Sequence, residues 1–489
     1  MNREFTFKEL SYIYLTCGTC VAIAIAQFLF FKNDEANFDP HVFIYIFSGM
    51  NIITIVAFRL DPKMDFKRIL FISLYTRSAI ILIQVFLFIA LGMYNITNEV
   101  EYYELLARTF LGTPSLYSDY IYGMPMGYQF WLLINYLGYM QFLEGFWQLI
   151  TMSILNVALE LGILFLIHAM GAEPSIRDSS RKMGNPRDQK MEFGMLIYAL
   201  SAIPVYYYNV RVFIDPFPIL LGIAGVYCFY KGMHELAAIL LSISILVKFI
   251  SLFWLILIII HLLSKRKVKI VIKYGVISGM IAFSFFLAGS LYYQETLLDF
   301  FLSFFPKFHG WSTFATSGLQ LNQSFWMLVY KPWFLPMILG GLILLCFLIE
   351  FKGKGMSLHS FSLVVACYLI FQPWYDQRYF LWVFPFLCID LMGSRKTFTR
   401  MHQLASISIF IYLFSLHFVN DLGINTLLDN DPYYIGLIYR LTGQLLSYIV
   451  LAWIIGKEIQ YQFGLKERMR SIITRHKNSR ELVGNGKNG

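Results

Sequence analysis

The sequence predicts an all-α polytopic membrane protein, a bundle of about 12 to 14 transmembrane helices with a long first outer loop holding an interfacial or re-entrant helix. Three observations predict it. The 489 residues are 58% hydrophobic and 14% charged, whereas a soluble domain carries about a quarter charged residues. Apolar residues arrive in blocks of roughly 15 to 25, the length that crosses a bilayer. Lys and Arg, which leave a net charge of +9, gather in the short segments between those blocks, where they set orientation and imply no nucleic-acid partner. A water-soluble enzyme is excluded. The 47 Phe, 32 Tyr and 9 Trp suit long helices with aromatic ends at the bilayer interfaces.

Each element follows from this partition of charge. The basic segments 59–68, 171–191 (Arg177, Arg181, Lys182, Arg187, Lys190), 264–273, 352–354, 395–400 and the tail after Ile455 belong on the cytoplasmic side by the positive-inside rule. Connections at 32–40, 94–145, 208–217, 291–332, 373–378 and 420–436 are acidic or neutral and face outward or into a lumen. Spans then fall near 11–31, 41–58, 69–93, 146–168, 192–207, 217–231, 234–248, 249–263, 272–290, 333–350, 358–372, 379–393, 403–419 and 437–455, about 14 crossings with both ends cytoplasmic. The pair within 234–263 is shorter than the ~20 residues a perpendicular helix needs, so a helix there is broken, re-entrant or tilted. The N-terminal MNREFTFKEL leads into an uncleaved first span. Residues 1–455 read as one integral membrane domain, and 456–489 as a basic cytoplasmic tail lying on anionic lipid.

Six Cys, at 17, 20, 228, 346, 367 and 388, all lie in apolar stretches, which argues against a disulfide framework. Cys17 and Cys20 form a C-x-x-C without a second pair or a nearby His, so they read as structural. No P-loop, G-x-G-x-x-G, H-E-x-x-H or serine elbow occurs, leaving ATP-driven transport and metalloprotease chemistry without support.

Two outer loops exceed the ~2 to 8 residues that connect helices in a compact bundle. The first runs from Tyr94 to about Gly145, and its apolar 128–140 stretch (YQFWLLINYLGYM) reads as interfacial or re-entrant, because a full crossing would invert the next basic loop. It carries Glu99, Glu101, Gly112, Tyr117, Asp119, Tyr122 and Pro125. A carboxylate at a membrane surface accepts a proton from an attacking hydroxyl or, with a close partner, holds a divalent cation; a solvated acidic loop is the plainer reading. The second loop, 291–332, offers Lys307 and His309. Asn95-Ile-Thr97 and Asn322-Gln-Ser324 match the glycosylation triplet, a pattern that also arises by chance.

Lys248 is the sharpest single residue. It lies inside an apolar run of about 27 residues, where an ionisable group either serves a site or snorkels to the interface. Arg211, Arg378, Lys307 and His309 are further outward cations, each with an ordinary reading as interfacial anchor or loop residue. Glu160 lies inside a span and reads as a polar contact between helices; Asp390 sits at headgroup level near Arg395.

These segments resemble the GT-C superfamily of polyprenyl-phosphate-sugar-dependent glycosyltransferases, in particular the first mannosyltransferase of glycosylphosphatidylinositol anchor synthesis and related bacterial and archaeal polyprenyl-phosphomannose-dependent enzymes. Glu99-Val-Glu101-Tyr102 stands where that group has D-x-D-Y, followed by Gly112 through Tyr117 and by Tyr120-Ile-Tyr122-Gly-Met-Pro125. Further along, VRVFIDP with Arg211 and Asp215 resembles the family's loop Arg and Asp. Lys248 matches the Lys of its helix break, here without the usual proline. Residues 372–387, QPWYDQRYFLWVFPFL, resemble its late motif, with Arg378 inserted between Gln377 and Tyr379. The resemblance covers roughly 69–393 and leaves 1–68 and 403–455 as additional spans.

The resemblance implies a GT-C-like bundle and inverting transfer of a hexose, mannose first, from a polyprenyl- or dolichyl-phosphate donor to a lipid-linked or extracytoplasmic glycan. Glu101 or Glu99 would be the general base, Lys248, Arg211, Arg378, Lys307 and His309 the donor-phosphate side, and Asp119, Tyr122, Asp215, Gln377 and Tyr379 the acceptor or loop-positioning side. No cofactor is required, although two close carboxylates keep a Mg or Mn role open. Localisation would be the plasma membrane of a prokaryote or the endoplasmic reticulum of a eukaryote, with the site extracytoplasmic or lumenal. An O-antigen- or capsule-type polymerase and a lipid-linked-glycan flippase or transporter are the rival readings. The polymerase would want more outer-loop arginines, and the transporter two related halves.

Overall fold

The computed structural model describes residues 64–91, 131, 134–135, 138, 142–143, 146–173, 188–293, 334–353, 355–371, 377–390, 395–414 and 433–463. Among them every regular element is helical. The helices are α1 (Phe66–Leu91), α2 (Phe146–Ala172), α3 (Asp188–Leu200), α4 (Pro216–Tyr230), α5 (His234–Val247), α6 (Ser251–Ser264), α7 (Val268–Tyr293), α8 (Phe334–Phe351), α9 (Leu358–Phe371), α10 (Phe380–Asp390), α11 (Arg395–Phe414) and α12 (Tyr433–Phe463). They fall close to the twelve spans expected from 69 to 455. The two expected before residue 64 lie outside the described residues.

Among the described residues, four stretches are long and apolar enough to cross a bilayer: Phe66–Phe86, Phe146–Ala172, Glu192–Val210 and Val268–Leu291. The chain is accordingly a multi-pass membrane protein. Helices α5 and α6 have 14 residues each, about 21 Å of rise against a hydrocarbon core of about 30 Å.

Local chemistry sets the boundaries. Asp65 caps α1, its Oδ1 accepting from the Arg68 N–H at 3.0 Å. Pro216 opens α4 at a position where the missing N–H costs nothing. That helix ends in a left-handed turn: Gly232 has φ +77, with Met233 N–H to Cys228 O at 2.9 Å and Gly232 N–H to Phe229 O at 3.0 Å. Gly194 lets α3 meet α10, since a Cβ there would lie 1.9 Å from Cys388 O.

Contacts sort the helix ends into two sets. Phe66 stacks on His168, Lys231 pairs with Glu173, His261 bonds Glu350 and His359 bonds Glu458; this end also holds the basic 264–273 turn. At the opposite end Phe88 stacks on Phe146 at 4.1 Å and Trp131 on Phe217 at 3.9 Å. The expected break in 234–263 is present as a reversal. Lys248 is extended (φ −154, ψ 125) between α5 and α6, and α6 returns to the basic end, where His261 lies near Phe229. No proline makes this break; Ser244 Oγ bonds both Pro218 O and Ser251 Oγ at 2.6 Å and fixes its two sides.

Candidate functional site

The site grows out of irregular backbone at the end opposite the basic turns. Helix α3 stops at Leu200, Ser201 accepts the Ile203 N–H, and Pro204 has no N–H to offer Leu200 O. The chain then winds as a π-helix over Val205–Val210. Its last carbonyls need partners in a dry interior, and the polar face of α2 supplies them. Ser153 Oγ donates to Asn209 O at 2.8 Å, while Asn156 Nδ2 donates to Tyr208 O at 2.7 Å and Phe213 O at 3.0 Å. Between those two carbonyls Val212 has φ +57, an outlier for a β-branched residue.

Asp215 follows that clamped turn. It is buried, and its Oδ1 accepts from Lys248 Nζ and from Trp382 Nε1, the latter at 3.0 Å. Lys248 also lies 4.9 Å from the Tyr379 ring centroid, and the Arg378 guanidinium lies over Phe213 at 4.2 Å and near Tyr379 at 5.4 Å. Three separate segments, the 211–215 loop, the α5–α6 reversal and the N-terminus of α10, thus place two cations and one carboxylate among aromatic rings. Burial raises the carboxyl of Asp215, but the charges of Lys248 and Arg378 and the two hydrogen bonds outweigh it and hold the group below its ordinary value.

Lys248, Asp215, Arg378 and Tyr379 therefore come together, as four of the residues singled out in the sequence. Arg211 ends the π-helix four residues before Asp215, its N–H bonded to Tyr206 O at 2.9 Å. Gln377 opens the short turn Gln377–Tyr379, and its side chain is not described. Glu99, Glu101, Asp119, Tyr122, Lys307 and His309 lie outside the described residues, as do Cys17, Cys20, Gly112, Tyr117, Pro125 and both glycosylation triplets. Trp131, in the apolar stretch expected to be interfacial, stacks on Phe217, two residues from Asp215. Among the described residues no three His, Cys, Asp or Glu side chains gather as metal ligands.

Two partners escape a sequence reading. Trp382 sits in the late motif but carries no charge to draw notice. Arg77 lies inside the α1 span as conspicuously as Lys248 does in its own run, and it pairs with Glu160 with both side chains fully buried. Its Nη1 also donates to Ala199 O at 2.9 Å, the carbonyl beside the end of α3. Glu160 thus makes the contact between helices expected of it.

Comparison with protein-family models, curated proteins and solved structures gives no match to this chain.

Proposed function

We propose that the chain is an integral-membrane glycosyltransferase that moves a hexose, mannose first, from a polyprenyl- or dolichyl-phosphate to a lipid-linked or extracytoplasmic glycan with inversion. The observation that carries this reading is the Lys248, Asp215 and Arg378 cluster at the α5–α6 reversal, opposite the basic turns. With those turns cytoplasmic by the positive-inside rule, the cluster lies on the extracytoplasmic or lumenal side, where such donors present their phosphate. Cations held in a low-dielectric site stabilise a leaving phosphate far better than the same charges in water.

In the reaction Glu101 or Glu99 accepts the proton of the acceptor hydroxyl as its oxygen bonds to the anomeric carbon. The bond from that carbon to the phosphate oxygen breaks, the electron pair stays on the phosphate, and Lys248 and Arg378 balance the charge. Asp215 holds the Lys248 side chain in place. A bound Mg or Mn at the acidic pair is compatible with this scheme and not required by it.

The test is to incubate membranes containing the protein with radiolabelled polyprenyl-phosphate mannose, glucose and galactose. Transfer from one donor is expected, lost in the inserted Glu99→Gln or Glu101→Gln variant. Full activity in both variants would sink the assignment of the base. The interrupted helix pair also suits a transporter. That reading wins if no donor yields product while a labelled lipid-linked glycan crosses the bilayer.

A further inference from the structure

Among the described residues, the basic end of the bundle carries more cation than its nearby carboxylates neutralise. Glu173 there is bonded to Lys231 and Glu235 to Lys273 at 2.6 Å. Glu350 accepts from Ser264 Oγ at 2.6 Å and the Met356 N–H at 3.2 Å, and lies 3.0 Å from His261 Nδ1. Lys265, Arg266, Lys267 and Lys269, by contrast, are all exposed and make no ion pair among the described residues.

Lys265, Arg266 and Lys267 form a turn that repeats the backbone hydrogen bonds of the α4–α5 turn, and Lys269 follows in the first turn of α7. Lys267 N–H bonds Leu262 O and Arg266 N–H bonds Leu263 O, both at 2.9 Å, as Met233 and Gly232 do in the other turn. Where Gly232 takes the left-handed position, this turn has Arg266 at φ +57. An arginine there costs backbone free energy that glycine avoids, so a positive charge stands where the backbone alone would favour none. Helix α7 leaves the turn with an uncovered apolar stripe. Val268, Ile272, Val276, Met280, Phe283 and Leu287 are 37% to 65% exposed, and 6% of its most apolar window is buried.

We propose that the Lys265–Lys269 turn and α7 form a binding site for an anionic phospholipid of the surrounding bilayer. The headgroup phosphate sits against Lys265, Arg266, Lys267 and Lys269, and an acyl chain lies along the α7 stripe. Charge complementarity selects this occupant. A second copy would bring like charges together at the turn, a zwitterionic lipid leaves the cations unneutralised, and a soluble acidic protein has no use for the stripe. Four such cations accommodate two phosphates as readily as one, so diphosphatidylglycerol binds more tightly than phosphatidylglycerol.

Native mass spectrometry of the delipidated full-length protein, titrated with phosphatidylglycerol, diphosphatidylglycerol or phosphatidylcholine, tests this without reference to any enzymatic activity. Phosphatidylglycerol is expected to bind about tenfold more tightly than phosphatidylcholine, diphosphatidylglycerol more tightly still. The preference should shrink as ammonium acetate rises from about 0.05 to 0.5 M. Arg266→Gly separates a binding role from a structural one: it relieves the backbone, so the thermal midpoint holds or rises while phosphatidylglycerol affinity falls. Equal binding of the glycerol and choline lipids by the unmodified protein, or an unchanged preference in a folded K265Q/R266G/K267Q/K269Q variant, overturns the proposal.

Discussion

Lys248 and Asp215, 33 residues apart in the chain, form an ion pair across the point where α5 turns back into α6. Lys248 stands on extended backbone and Asp215 at the N-cap of α4, both at the end of the bundle opposite the basic turns, and Lys248 keeps 19% of its side chain exposed while Asp215 is buried. Removing the cation strands a buried carboxylate, which for a buried pair costs about 3 to 5 kcal/mol, here nearer the lower figure because Lys248 is partly accessible. Lys248→Gln should therefore lower the unfolding midpoint in detergent and, if the chain transfers sugar as proposed, reduce that transfer by about 100-fold or more. Lys248→Arg should recover most of the stability, since the charge is restored. A Lys248→Gln protein with unchanged stability would show that the pair does not form.

The same pair has a definite pH signature. The folded-state pKa of Asp215 is depressed, so its contribution is fully present above the ordinary value of about 3.9 and disappears as pH falls through the lowered folded value. The difference in thermal midpoint between the unmodified protein and Asp215→Asn should be flat from about pH 8 to pH 5. It should shrink only below about pH 4. A difference that already vanishes near pH 6 would mean that Lys248 and Arg378 do not hold the carboxylate ionised.

Arg77 and Glu160 form the second buried pair, between α1 and α2. Truncating either one leaves an uncompensated charge in the interior, whereas replacing both removes the desolvation cost along with the attraction. Arg77→Met and Glu160→Met are each expected to destabilise by about 3 to 5 kcal/mol, and the double variant by far less. Arg77 also satisfies Ala199 O, so the double variant should retain a residual loss of about 1 to 3 kcal/mol for that carbonyl. Additive single effects would refute a direct pairing.

What was legible in the sequence follows from how local each signal is. Apolar blocks and basic turns are local, and the described helices fall close to them. Lys248 stood out because an ionisable group in an apolar run needs a reason. By the same rule Glu160 is legible, whereas Arg77, as conspicuous inside its own span, escapes the reading, and so does their pairing, because residues 83 positions apart meet only once α1 packs on α2. Asp215 is legible through the family resemblance alone, and Trp382 only as one letter of the late motif, since a neutral indole in an aromatic helix is otherwise ordinary. The π-helix over Val205–Val210 and the proline-free reversal at Lys248 are products of tertiary hydrogen bonds from Ser153, Asn156 and Ser244. No residue within VYYYNV announces them.

Asn156 gives the last prediction, because one side-chain amide holds both sides of the strained turn at Val212. That turn leads within three residues to Asp215, so its looseness would reach Lys248 through the ion pair. Asn156→Leu keeps the size of the side chain and removes both donors, leaving Tyr208 O and Phe213 O short of partners; a loss of about 2 kcal/mol is expected. Hydrogen exchange measured by mass spectrometry should quicken in peptides spanning 205–215 and stay unchanged in α9 and α12. If the cluster receives a donor phosphate, the donor KM should rise while the acceptor KM does not. A role confined to global stability would instead lower the amount of active protein and leave both KM values where they were.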